Sequence, residues 1–179
     1  MTGVRFAVGA LMLSGFVFGA DTSLSKVYDG MLKSVEGEAV SLAEAMPADK
    51  FDFAPTDGAF KGVRTFGQQA RHMATIVYLV SSSVLEEKCP VDIGENENGA
   101  ASLKSKDEIV KYLKDSFVYA HKAMAALTEK NQMDLVAGFG NRKSPRVNMA
   151  SGAVWHSFDH YGQMVVYARM NGVVPPASR

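Results

Sequence analysis

His156 and His160 stand four residues apart in a stretch whose apolar residues recur at helical spacing. At about 100° per residue the two imidazoles lie roughly 40° apart, on a stripe they share with Met149, Gln163 and Tyr167. Two rings one turn apart cover the same patch of helix surface and can bind one ion together, although this spacing also occurs in helices that bind nothing. His72 shares a face with Gln68, Ile76 and Leu79 in an earlier amphipathic stretch, so it points toward the same interior. Brought together, His72, His156 and His160 make a three-imidazole site with an open position, the arrangement that separates a reactive metal centre from a closed structural one. The alternative is three core or boundary histidines satisfied by hydrogen bonds, and spacing alone does not choose between the two. Neutral imidazoles suit a divalent zinc, nickel, copper or iron ion and serve calcium or magnesium poorly.

Other polar residues have weaker cases. Asp159 adjoins His160 and either orients a ring by accepting its N–H, serves as a general base, or is merely solvated. Gln163 and Gln68 either hydrogen-bond to what occupies the open position or satisfy each other. His121 falls at the edge of an apolar face and reads as a boundary residue, and Tyr161 reads as packing. Cys89 is the only cysteine, which excludes both an intramolecular disulfide and a thiolate zinc cage. The ten methionines read as core filler.

The elements that must position these residues are helices. Leu24 to Met46 repeats apolar residues at steps of three and four until Pro47 ends the pattern. Pro47 to Arg64 is a connection that carries Phe51, Phe53 and Phe60 as plugs for the end of a bundle. Thr65 with Gln68, and Ser105 with Glu108, are capping boxes that open a second helix reaching about Lys88 and a third marked by Ile109, Leu113, Phe117, Ala120, Met124 and Leu127. Between them Cys89 to Lys104 is a 16-residue loop. Extended, it reaches on the order of 50 Å, against roughly 33 Å for a helix of about 22 residues, so it can return along the whole bundle and leave the second and third helices parallel. After a break at Gly138 to Ser144, a fourth helix runs from about Pro145 or Asn148 to Met170, stopped by Asn171 and Gly172. No strand pattern stands out, and the expected fold is a single all-α four-helix bundle.

Nineteen basic residues against nineteen acidic ones give no global field for nucleic acid or an anionic membrane. Met1 to Ala20 carries Arg5 as its only charge, followed by an apolar run from Phe6 to Phe18 and then small residues. That thirteen-residue run spans roughly 20 Å as a helix, short of a hydrocarbon layer of about 30 Å, so the segment reads as a signal peptide over residues 1–20, with the bundle over 21–179. Export to the periplasm or the exterior follows, and no stable membrane span is expected in the remaining chain.

The stretch TFGQQARHMATI around His72 and the run HSFDHYGQMVVYARMNGVVPPASR from His156 resemble the DinB-like superfamily, which includes the YfiT-like group classed as metal-dependent hydrolases. The resemblance implies an up-down-down-up bundle with its crossover between helices 2 and 3. It also implies that His72, His156 and His160 are the metal ligands, with the segment His160 to Gln163 matching the family's His-x-Gly-Gln pattern. It covers the chain from about residue 24 onward. Some relatives use the metal to activate the sulfur of a small thiol such as bacillithiol or mycothiol, for whose carboxylates Arg64, Arg71, Arg142 and Arg146 would be the available cations. An exported protein would meet little of such a thiol.

The expected function is therefore a divalent-metal protein acting as a hydrolase or thiol-dependent transferase on a small molecule, with zinc or nickel ahead of iron and with Asp159 and Gln163 as the polar groups beside the ligands. A second reading is a non-catalytic exported bundle that binds metal or a small ligand. A third is a structural homodimer.

Overall fold

In the computed structural model, residues 23–179 are described; the expected signal peptide lies outside the described residues. Four long helices carry the fold: α1 (Leu24–Ala45), α2 (Phe66–Leu85), α3 (Lys106–Ala125) and α4 (Arg146–Met170). The Ser23 side chain caps α1, and Met46 leaves the helix in an extended conformation immediately before Pro47. Both capping boxes form as the sequence indicates, Thr65 with Gln68 and Ser105 with Glu108, each satisfying backbone donors that a helix start otherwise leaves open. α2 ends three residues before Lys88 because Glu86 adopts the left-handed conformation and its N–H turns back to Ser82 and Ser83.

Side-chain contacts fix the helix directions. Thr75 reaches the hydroxyl of Tyr112, and Tyr119 donates to Glu87 just past the end of α2, so α2 and α3 run parallel. Lys106 at the start of α3 donates to the carbonyls of Glu44 and Met46 at the end of α1, while His121 meets Asp29 near the opposite end, so that pair is antiparallel. Arg146 at the start of α4 donates to the Val84 carbonyl at the end of α2, so α2 and α4 are antiparallel as well. The result is an up-down-down-up bundle in which α2 packs on α3 and α4 and α1 packs on the same two helices. The core threads all four helices through residues such as Leu32, Leu42, Met73, Val77, Leu113, Phe117, Met124 and Met164, all fully buried. Each such side chain contributes about 1.5–3 kcal/mol through removal from water.

Two features differ from the sequence reading. The break before α4 contains a small antiparallel ribbon, β1 (Leu135–Ala137) and β2 (Lys143–Pro145), in register Val136 to Ser144. Its strands are three residues each, too short for alternation to show, and only Val136 of β1 is buried. Of the three phenylalanines expected to plug the bundle end, Phe51 stacks edge-on against Phe66 and Phe53 against Tyr167. Phe60 does not: it is exposed, in a turn that glycines Gly58 and Gly62 pass through at positive φ. No described helix is long and apolar enough to cross a membrane.

Candidate metal centre

The antiparallel packing of α2 on α4 brings His72 beside His156 and His160. Ring centroids are 5.1 Å apart for His72 and His156, 4.7 Å for His72 and His160, and 4.4 Å for His156 and His160. One ring nitrogen from each lies within 4.8 Å of the other two. Among the described residues this is the only group of three or more histidine, cysteine or acidic side chains that close together. His72 and His160 are buried and His156 partly so.

What surrounds each ring decides what it can do. His72 Nδ1–H donates to the backbone carbonyl of Glu97 in the crossover loop, at 3.0 Å. His160 Nδ1–H donates to Gln69 Oε1 at 2.5 Å. Gln69 Nε2 in turn donates to Gln163 Oε1 at 2.9 Å, and Gln163 Nε2 reaches Asp159 Oδ2 at 3.5 Å. Every donor in that chain points the same way, so it holds His160 as the Nδ1–H tautomer and leaves the Nε2 lone pair for the cluster. Histidines that ligate metals are oriented in this manner, by an acceptor on the outer nitrogen. His156 Nε2 is buried and has no hydrogen-bond partner. A buried polar atom without a partner carries a desolvation penalty of about 1–3 kcal/mol, which a bound ion would remove.

Electrostatics favours neutral rings. Burial, then the proximity of His72, pushes His156 down to about 4; burial, then His156 and His72, pushes His160 down to about 3. His72 is lowered by burial and by the charge of Arg64. At neutral pH all three offer lone pairs, with no proton to displace. The donor set fits a divalent ion such as zinc, nickel or iron, by atom type, mutual distance and the unpartnered His156 nitrogen.

Asp159 is exposed, with Oδ2 4.0 Å from His160 Nε2. It thus stands on the lone-pair side of the ring, as a base would, and the ring-orienting place belongs to Gln69. Gln163 supports Gln69. Gln68 Oε1 accepts from the Thr65 backbone in the capping box, and it is Gln69 that bonds Gln163. His121 is a boundary residue bonded to Asp29 and Glu36, away from the site. The four arginines do not form one pocket. Arg71 and Arg64 hold carbonyls and the Asn98 side chain of the crossover loop. Arg146 is buried against Val84 and Glu86 at the far end of α2, and Arg142 is exposed in the ribbon turn. A cavity of about 440 Å³ adjoins the Gln69–Gln163 pair and is lined by Arg64, Gln68, Asn96 and Asn98 among others. Sequence reasoning missed Gln69, the Glu97 carbonyl and Trp155, the single tryptophan, whose exposed ring lies 5.6 Å from that of His156.

Bundle and triad together define a DinB-type protein. Residues 31–164 match the family model of the DinB superfamily, and the chain belongs to that superfamily. Solved structures with the same fold include a DinB-like protein from Bacillus cereus (19% identity, TM-score 0.64, covering 83% of this chain and 95% of that one). A conserved protein from Enterococcus faecalis is similar at 13% identity and TM-score 0.65, covering 83% and 97%. A DinB-like protein from Bacillus subtilis follows at 17% identity and TM-score 0.57, covering 82% and 92%. Comparison with the curated proteins finds no match.

Proposed function

We propose that this protein is an exported divalent-metal enzyme, a hydrolase or thiol-dependent transferase, with His72, His156 and His160 as ligands. The observation that supports the reading best is the pairing of two pinned outer nitrogens with an unpartnered, buried inner one: His72 and His160 are oriented by Glu97 and Gln69, and His156 Nε2 has nothing to bond. A divalent ion held there supplies Lewis acidity, which lowers the pKa of a water or thiol at the open position and polarises the bond to be broken. Gln69 and the Glu97 carbonyl keep the imidazoles neutral and aimed. Asp159, exposed and on the lone-pair side of His160, accepts the proton released by the nucleophile and passes it to solvent. Gln163 restrains that carboxylate through its Nε2.

Metal analysis of protein purified without chelator or nickel resin tests the ligand set. About one equivalent of zinc, nickel or iron in the wild type and loss of it in His160→Ala are expected; no stoichiometric metal together with unchanged affinity in the variant would sink the proposal. Turnover of small ester, amide or thiol-adduct substrates that disappears in His156→Ala separates an enzyme from a binding protein. The mass of the secreted chain tests export.

A further inference from the structure

The segment that carries the His72 acceptor holds Glu97 in a conformation that residue does not favour. Asn96 and Glu97 both have positive φ, 51° and 56°, and of the described non-glycine residues only Glu86 shares that property. Gly94, at φ 63°, packs so tightly that a Cβ there would lie 1.9 Å from the Gly99 carbonyl oxygen. Consecutive left-handed residues persist only where surrounding contacts over-determine them. Within the turn the Gly99 N–H donates to the Ile93 carbonyl, the Asn98 N–H to the Glu95 carbonyl and the Gly94 N–H to the Asp92 carboxylate. From outside it, contacts come from Arg71, one residue before His72, and from Arg64. Arg71 Nε donates to the Asn98 carbonyl at 2.8 Å, and one amino group donates to the carbonyls of Ala100 at 2.9 Å and Gly99 at 3.4 Å. Arg64 adds the Asn96 carbonyl and the Asn98 side chain.

We propose that Arg71 is a positioning residue for His72: its fork clamps the crossover loop in the strained turn that presents the Glu97 carbonyl to His72 Nδ1, and so fixes the tautomer and aim of one imidazole. The two ends of this device are adjacent in sequence but lie on different faces of α2, so the loop forms a bridge from one face to the other. Its metal arm rests on the metal reading above. A charge argument alone gives the opposite sign, since removing a cation near the site would tighten binding of a second cation. A fork is also something lysine cannot replace, because a single ammonium cannot meet three diverging carbonyls.

The test is a double-mutant cycle on the full chain. Nickel is titrated into the protein while Trp155 fluorescence is followed, and zinc affinity is measured by chelator competition. Arg71→Met and Arg71→Lys should each weaken binding about tenfold or more, the range typical of partners that orient a ligand. In a His72→Ala background the same substitutions should cause no further loss. Unchanged affinity, or an equal loss in the His72→Ala background, would overturn the proposal. An arm without metal keeps it separate from the metal reading. Imidazole ¹⁵N NMR of the metal-free wild type should show His72 as the Nδ1–H tautomer, and that signature should vanish in Arg71→Met. Its persistence overturns the clamp even where the wild type binds no ion.

Discussion

Two histidine sites occupy this bundle, a cluster of three and a single ring, and they use the same side chain in opposite ways. Between α1 and α3, His121 has both ring nitrogens against carboxylates, Nδ1 at 2.6 Å from Asp29 and Nε2 at 2.9 Å from Glu36. Between α2 and α4, His72 and His160 each give one nitrogen to a neutral acceptor, a backbone carbonyl or an amide oxygen, and keep the other for the cluster. A ring with both nitrogens engaged is a strut that ties two helices. A ring with one engaged and one free is a ligand in waiting, provided a neighbour holds its orientation and burial keeps it neutral. What separates the two sites is therefore the partner of the outer nitrogen, more than the presence of histidine.

The largest expected effect breaks the comparison outright. His72→Ala should weaken metal binding about a hundredfold, to the residual affinity of the His156 and His160 pair, while His121→Ala should leave affinity within about twofold, because additivity holds between distant sites without shared partners. Equilibrium dialysis against zinc reads both, and a comparable loss in the two variants would mean that the two sites are not functionally distinct.

Acid should act next most strongly, through the ligand cluster of the metal-free protein. His156 and His160 titrate at about 4 and about 3 in the fold, against about 6.5 when unfolded. The unfolded chain thus binds more protons as pH falls below about 6.5, and stability falls with it. The slope is about 1.4 kcal/mol per pH unit for each extra proton, and it flattens only below the folded values. Above about 7 the contribution is constant. Urea midpoints measured from pH 7 to pH 4 check this, with His156→Gln expected to flatten the slope.

A smaller effect is expected at Gln69, which the sequence did not single out. Gln69→Leu keeps volume but removes the acceptor from His160 and should weaken metal binding about tenfold, with Gln163→Leu weaker still, since Gln163 acts only through Gln69. Gln68 and Gln69 flank the His72 direction on either side, at roughly −40° and +60°, and the smaller angle favoured Gln68. The same sequence already assigned Gln68 to the Thr65 capping box, however, and a side chain cannot serve both. Helix number and caps were legible because each depends on local periodicity or on an i, i+3 relation, and the crossover followed from the length of the 16-residue loop. Spacing aimed three histidines at one interior, but only the family resemblance marked them as one ligand set. The Glu97 carbonyl was not legible, since backbone acceptors carry no residue-type signal and this one depends on two left-handed residues in an otherwise aperiodic loop. The ribbon before α4 escaped for the complementary reason, with strands too short to show a period.

The smallest effect sharpens the comparison from the other side. His121→Ala should lower stability by about 1 kcal/mol, the usual net worth of a side-chain hydrogen bond. One of the carboxylates it leaves behind keeps a partner: Lys33 already contacts Asp29 at 2.7 Å and is the leading reason that this acid lies below the usual carboxylate range. The lost tie would be felt in how α1 rests on α3, at the opposite end of that pair from where Lys106 grips the Glu44 and Met46 carbonyls. Amide exchange should therefore quicken in the first turns of α1 in His121→Ala and stay unchanged around Gln69 and His72. Faster exchange reaching the α2 site would show that the strut and the ligand cluster are mechanically coupled, and that the division between them is one of chemistry alone.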